Sequence, residues 1–435
     1  MGHINAKIEY RRLQQRLDRM PIGAPEHRAL FELLAELFSP EEARVAAAVP
    51  LGLVSARKIA KNADMDESRA KPIIDALVAK GLLADLPRSD GRVSYFLNPT
   101  MVGFFEFTMM RVRKDIDQHR VGKLFHEYLH DPAKGLFKLA AKGETFIARP
   151  LVHEDVLKQG TYTEVLDYEK ASRIIGDAGA WAEAMCYCRH VKEHVGERCE
   201  YPEDFCLSFG HGADYLTRNG FAKPITRDRA LGVLKDAREL GLVQMCDNVK
   251  REPGFICNCC GCCCEMLGSL RAFPGPTPVV TSNYVSAIDD AECNGCGKCA
   301  KACPIDAISV SPAGPTAKYP KRKKTATVDA DRCIGCGVCN RSCKYTAMDM
   351  KPIGTRVHTP EDMMEKMLLQ ALEQGKLQNF IFSDPTKLTH RALASLVVTI
   401  ANLPPSKRLL AQQQLKSKFV EMMLTLVPRD AKTVS

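Results

Sequence analysis

The sequence has no long apolar run. Its most apolar stretch, LASLVVTIANL at 393–403, is about half of what a membrane helix needs. The opening MGHINAKIEYRRLQQRLDRM carries charge throughout and has no apolar signal-peptide centre, which predicts a cytoplasmic protein with no membrane span. A dinucleotide glycine fingerprint, a Walker loop and a hydrolase triad are all missing, so NAD, FAD or ATP binding is not indicated and no catalytic residue stands out. Cysteine is missing from residues 1–185 and from 344–435; all 19 thiols lie between Cys186 and Cys343. A chain using Cys as a small core residue would scatter it. Crowded thiols in a reducing cytosol read as metal ligands or reactive groups, not as a disulfide framework.

A chain of 435 residues predicts several domains, and 45% hydrophobic against 26% charged residues suffices for ordinary cores. The net charge is +9, part of it from KYPKRKK at 318–324. That run reads as a solvated loop. A docking patch for an acidic partner is the sharper alternative, and a phosphate backbone another.

The patterning predicts an α+β chain. Residues 22–99 read as a winged-helix module: apolar-periodic helices with Ser39 and Ser55 as caps and Pro40 at a first turn, then a strand, a turn at 89–91 and a strand. Its candidate recognition helix, 66–80, sets Asp66, Glu67 and Asp75 against Arg69, Lys71 and Lys80. A DNA reader normally presents a basic face, so protein docking is favoured over DNA. Residues 100–185 form a helical linking region whose His126 and His130 read as ordinary histidines. Residues 186–272 form a Cys-rich α+β domain. A Pro-rich joint, FPGPTPVV, leads to a two-cluster ferredoxin-like domain at 285–352. A helical tail at 360–428, capped by Thr359, closes the chain.

CNGCGKCAKAC at 293–303 and CIGCGVCNRSC at 333–343 share the spacing C-x2-C-x2-C-x3-C, that of bacterial two-cluster ferredoxins. Three thiolates on a tight glycine-containing loop reach three irons of one cubane, and the fourth points at the other cluster. The expected crossover assigns one [4Fe–4S] cluster to Cys293, Cys296, Cys299 and Cys343, and a second to Cys333, Cys336, Cys339 and Cys303. Pro304 follows the first set, but Lys344 takes its place in the second. A positive charge there favours the reduced cluster. Zinc ribbons do not need a third and fourth Cys at this spacing.

The other Cys-rich region is denser. Cys186, Cys188, Cys199 and Cys206 precede CNCCGCCC, which supplies Cys257, Cys259, Cys260, Cys262, Cys263 and Cys264. Neighbouring side chains on an extended segment point opposite ways, so one octapeptide can serve two metal centres, with Gly261 as the bend. One or two further clusters are expected here, with mononuclear zinc as the alternative. Arg189 and His190 are candidates to hydrogen-bond cluster sulfur.

The order CYCRH, CNCCGCCC and two CxxCxxCxxxC motifs, with PIGAP and GFFEF upstream, resembles a family of anaerobic bacteria and archaea described as 4Fe-4S dicluster or ferredoxin-type iron–sulfur proteins. The resemblance covers roughly residues 20–350 and implies cluster binding and electron transfer without naming a substrate. Cys246 and the tail lie outside it. The expectation is a multi-cluster protein relaying low-potential electrons to or from a partner: a ferredoxin, a flavoprotein or an oxidoreductase subunit. The winged helix and tail would hold partners or a second copy. The alternatives are a redox-sensing transcription regulator, and an oxidoreductase reducing a small substrate at a cluster of the Cys-rich domain.

Overall fold

The computed structural model describes residues 7–131, 135–137, 143–157, 167–272, 279–354, 356–377 and 379. It is a mixed α+β chain of two compact units, one comprising residues up to Thr145 and from Met363 onward, the other Phe146–Asp362.

The first unit opens with five helices: α1 (Ile8–Asp18), α2 (Arg28–Leu37), α3 (Pro40–Ala47), α4 (Ala56–Asn62) and α5 (Glu67–Ala79). Local chemistry sets several of their starts. Ser39 and Glu42 form a reciprocal capping box, with Pro40 at the first helical position, where its missing N–H costs nothing. The Ser55 hydroxyl accepts from the Lys58 N–H. An antiparallel hairpin follows, β1 (Leu83–Pro87) with β2 (Val93–Leu97); Gly91 turns it with a φ of +80° that favours glycine. Leu13, Leu17, Leu30, Leu34 and Leu77 are buried together with the hairpin's Leu83 and Leu97. Each such side chain contributes about 1.5–3 kcal/mol.

The stretch GFFEF closes this core. Phe105 of the short helix α6 (Phe105–Met109) packs ring to ring with Phe104 just before it and with Phe125 of α7 (Gln118–His130). Val102 stands at φ +51°, strained for a β-branched residue. Glu106 holds it there by accepting from the N–H groups of Val102 and Gly103. Desolvation pushes the Glu106 carboxyl up to about 7, although those two donors pull the other way. The rings of His126 and His130 meet at a tilt of 39° along α7. The tail helix spans Met363–Glu373, so it begins beyond the capping position expected at Thr359. The rest of the expected tail, from residue 380, lies outside the described residues.

The second unit is built on a six-stranded antiparallel sheet in the order β3-β7-β8-β5-β4-β6. Its strands are β3 (Ala148–Leu151), β4 (Trp181–Ala184), β5 (Cys206–Phe209), β6 (Ala222–Pro224), β7 (Val243–Asp247) and β8 (Phe255–Cys259). Its helices are α8 (Ala171–Asp177), α9 (Tyr187–His194), α10 (Gly210–Arg218), α11 (Arg227–Glu239) and α12 (Glu265–Ala272). The region expected as a linker is divided: β3, α8 and β4 belong to this sheet and its cover. Leu207, Phe209 and Ile256 of the sheet pack with Ile174 and Ile175 of α8 and with Val233 and Leu234 of α11. Cys246 is fully buried in this core. Residues 273–278 of the Pro-rich joint lie outside the described residues. After it come β9 (Tyr284–Ile288), α13 (Lys298–Ala302), β10 (Ile308–Pro312), β11 (Lys324–Val328), α14 (Val338–Ser342) and β12 (Met348–Pro352). In the basic run 318–324, Lys318 pairs with Glu292 and the buried Arg322 with Asp290, so two of its cations are engaged within the chain.

Candidate metal centres

The stretch 284–352 is a repeat folded on itself. Each half runs strand, Cys loop, one-turn helix, strand. β9 pairs with β12, and β10 with β11, in matching five-residue registers. The pairing of first strand with last brings Cys343 to the first loop. One cavity is lined by Cys293, Cys296, Cys299 and Cys343, with Ile288, Ala326 and Met348 around them. In the other half Cys303 joins the second loop. Burial pushes the Cys336 thiol up, and its neighbours Cys339, Cys333 and Cys303 push it further. Burial pushes Cys339 up to about 12.

The loops close only because of glycine. Gly295 and Gly335 have φ of +76° and +72°, and a Cβ at either would run into a backbone carbonyl, that of Lys324 or of Tyr284. The close turns leave N–H groups aimed at sulfur: Gly295 donates to Cys293 Sγ at 3.4 Å and Ala307 to Cys303 Sγ at 3.2 Å. Four thiols around one apolar-walled cavity, with N–H donors on sulfur, suit the donor set of a [4Fe–4S] cluster. Lys344 is exposed, so solvent screens its charge.

Two residues here escaped the sequence reading. Ser286 is buried with its hydroxyl 2.9 Å from Cys339 Sγ. The matching position in the other half is Ala326, at the wall of the first cavity. That mismatch between the two repeats was the available signal. The N–H of His153 donates to the Cys336 carbonyl, and His153 Nε2–H donates to the Leu242 carbonyl at 3.0 Å. Burial holds His153 down at about 4, so it is neutral. No motif announces it.

Apart from Cys246, the ten thiols of 186–264 fall into two groups on opposite sides of one strand end. Along β8, Ile256 and Asn258 face the core, and Asn258 donates to the Phe205 carbonyl. Cys257 and Cys259 share the other face, because side chains alternate. Register pairs Cys257 with Cys206 of β5, Sγ to Sγ 3.9 Å. The start of α9 brings Cys186 and Cys188, and the start of α12 brings Cys264. The thiols adjoin in series: Cys206 with Cys257, Cys257 with Cys259, Cys259 with Cys264, Cys264 with Cys188, Cys188 with Cys186.

The other group is tighter. Past β8 the chain turns, Cys260 re-enters the core side, and Cys260, Cys262 and Cys263 meet Cys199 from the loop after α9. All four sulfurs lie within 4.8 Å of one another. Cys199 and Cys260 are 3.7 Å apart, and Cys262 and Cys263 3.9 Å. A hydrogen bond from Cys263 lowers the Cys260 thiol to about 4, with help from Arg189, and the same bond pushes Cys263 up. Burial pushes Cys262 up to about 11. Such a quartet loses its first proton easily and the later ones only with a cation among the sulfurs.

Arg189 is the buried cation between the groups, 1% exposed, donating to the carbonyls of Pro202 at 2.7 Å and Asn258 at 2.9 Å. Burial opposes its charge, but Cys186, Cys260 and Cys259 outweigh that and raise its pKa. Besides these backbone bonds it hydrogen-bonds the Cys260 thiol, so it reaches a sulfur as the sequence suggested. His190 is also buried, and its Nε2 lies 3.1 Å from His194 Nε2, one helical turn on.

The two Cys regions meet. Gly261, at the bend of CNCCGCCC, packs on Pro304, the residue after Cys303; a Cβ on Gly261 would stand 2.7 Å from the Pro304 carbonyl oxygen. No helix among the described residues is long and apolar enough to cross a membrane. Residues 292–347 match the family model of the 4Fe-4S dicluster domain. Comparisons with curated proteins and with solved structures return no match.

Proposed function

We propose that this chain, an iron–sulfur protein by its 4Fe-4S dicluster domain, relays electrons between a donor and a partner redox protein. In this reading Cys293, Cys296, Cys299 and Cys343 hold one [4Fe–4S] cluster, and Cys333, Cys336, Cys339 and Cys303 hold the second. When bound, such clusters supply reversible one-electron chemistry at low potential. The chain supplies the rest. The N–H groups of Gly295 and Ala307 and the Ser286 hydroxyl are aimed at ligand sulfur, where they ease added negative charge. Ile288, Ala326 and Met348 give the first site an apolar wall.

The observation that carries the relay is the contact of Gly261 with Pro304. It sets the thiols of the Cys-rich sheet against the ligand loop of the dicluster domain, so metal centres in the two regions become neighbours on one path. The partner is a redox protein such as a ferredoxin, a flavoprotein or an oxidoreductase subunit. The first five helices and hairpin have the outline of a winged helix, which in this reading docks protein. On and just after α5, Arg69, Lys71 and Lys80 pair with Glu41, Asp75 and Glu42, leaving phosphate a poor claim on them.

The test is anaerobic purification with iron and acid-labile sulfide counting, followed by EPR of the reduced protein and stopped-flow oxidation by a ferredoxin. At least about eight irons and eight sulfides per chain are expected, with two interacting reduced clusters and rapid transfer. Zinc without sulfide, or clusters that no protein partner oxidises or reduces, would overturn the reading.

A further inference from the structure

We infer that Cys199, Cys260, Cys262 and Cys263 form a mononuclear tetrathiolate site for one thiophilic divalent cation, zinc or iron, distinct from the iron–sulfur clusters. The argument is one of size. A tetrahedral ion with metal–sulfur bonds of about 2.3 Å sets its four sulfurs about 3.8 Å apart. Two edges of this quartet, Cys199 to Cys260 and Cys262 to Cys263, are 3.7 Å and 3.9 Å, and no sulfur is farther than 4.8 Å from another. A cubane carries its thiolates on four separate irons, which sets them roughly 6 Å apart. The chain holds its own yardstick: among the described residues the eight thiols of the dicluster domain form no quartet this tight.

The remaining six thiols behave differently. Cys186, Cys188, Cys206, Cys257, Cys259 and Cys264 adjoin pairwise in a series, and no three of them gather within the span of the quartet. That wider array suits a polynuclear centre. The octapeptide therefore divides by nuclearity as well as by side: Cys257, Cys259 and Cys264 face the array, while Cys260, Cys262 and Cys263 clasp the single ion. Three of the quartet's thiols are on one turn and the fourth comes from the loop at Cys199, so the ion ties that loop to the end of β8. It also fixes Gly261 against Pro304, beside Cys303. The site positions the path between the two regions; it does not need to change oxidation state. The inference rests on 186–264 binding metal and is independent of the relay.

The experiment uses the full chain, purified anaerobically, with zinc, iron and acid-labile sulfide measured on the parent, on Cys262→Ala and on Cys246→Ala. Cys262 is exposed, so its removal spares the core; Cys246 is buried and stands outside the quartet. Cys262→Ala should lose about one equivalent of zinc or iron and no sulfide, with the reduced EPR signals of the dicluster domain unchanged. Cys246→Ala should keep every metal. Loss of several irons with an equal number of sulfides from Cys262→Ala would place a cluster there and overturn the inference. Unchanged metal content would do the same. Should the variant not fold, the parent reconstituted with cobalt(II) decides: tetrahedral tetrathiolate absorption supports the site, and its absence overturns it. Loss of the dicluster EPR signals in the parent would count against the relay alone.

Discussion

Ser286 and Ala326 occupy matching places in the two halves of the dicluster domain, and they make those halves unequal. A thiolate can only accept, so with Cys339 as a cluster ligand the Ser286 hydroxyl would donate to it. That donor stabilises the more negative, reduced state. Removing a bond of about 1 kcal/mol corresponds to roughly 40 mV for one electron. Ser286→Ala should therefore lower one of the two cluster potentials by about that amount and leave the other in place, as read by EPR-monitored redox titration; equal shifts of both would contradict it. Lys344, which the sequence suggested as the source of asymmetry, is solvent-exposed and screened. Glu106 acts at the same scale but on stability. Its folded pKa of about 7 lies above the unfolded value of about 4.3, so the folded chain holds that proton more tightly. The contribution is fully present below pH 4 and is lost as pH rises through 7. Glu106→Gln should show a flatter dependence of its melting temperature on pH between about 4 and 8 than the parent. An unchanged slope would mean that Glu106 is ionised throughout.

At the scale of elements, local signals were readable and remote encounters were not. The caps at Ser39 and Ser55, the turn at Gly91 and the helix α7 follow from neighbours three or four residues apart, and the sequence shows them. The tail helix starts at Met363 and not near Thr359, because residues just before it bond elsewhere: Pro360 and Glu361 carbonyls accept from Lys250 and Arg251. The bend at Gly261 was expected from composition, but not its partner. A Cβ there would stand 2.7 Å from the Pro304 oxygen and 3.0 Å from its Cα, so backbone on both sides must move. Gly261→Ala should cost about 1–3 kcal/mol in anaerobic thermal unfolding. Gly232→Ala, inside α11 with nothing within 4 Å, should instead add about 0.5–1 kcal/mol. If both substitutions behave alike, the contact with Pro304 carries no weight.

For the whole molecule, the eight thiols at 293–343 and the thiols at 186–264 show where sequence stops. In the dicluster domain the spacing itself implies the ligand loop, since three residues per step on a glycine turn leave few geometries; the repeat makes the crossover legible as well. Sequence alone therefore determined the iron–sulfur character of 292–347, the α+β character and the candidate metal-binding thiols. Tertiary structure decided how Cys199, Cys206 and the eight thiols of CYCRH and CNCCGCCC are shared. Cys206 meets Cys257 through the register of β5 on β8, and Cys199 reaches Cys260 from a separate loop. It also decided that the two Cys regions touch, through Gly261 and Pro304. The physical reason is range. Ligand loops and caps are set by torsions within a few residues, whereas the division of a crowded octapeptide depends on which distant strand, loop or helix start the packing of the sheet delivers to each face.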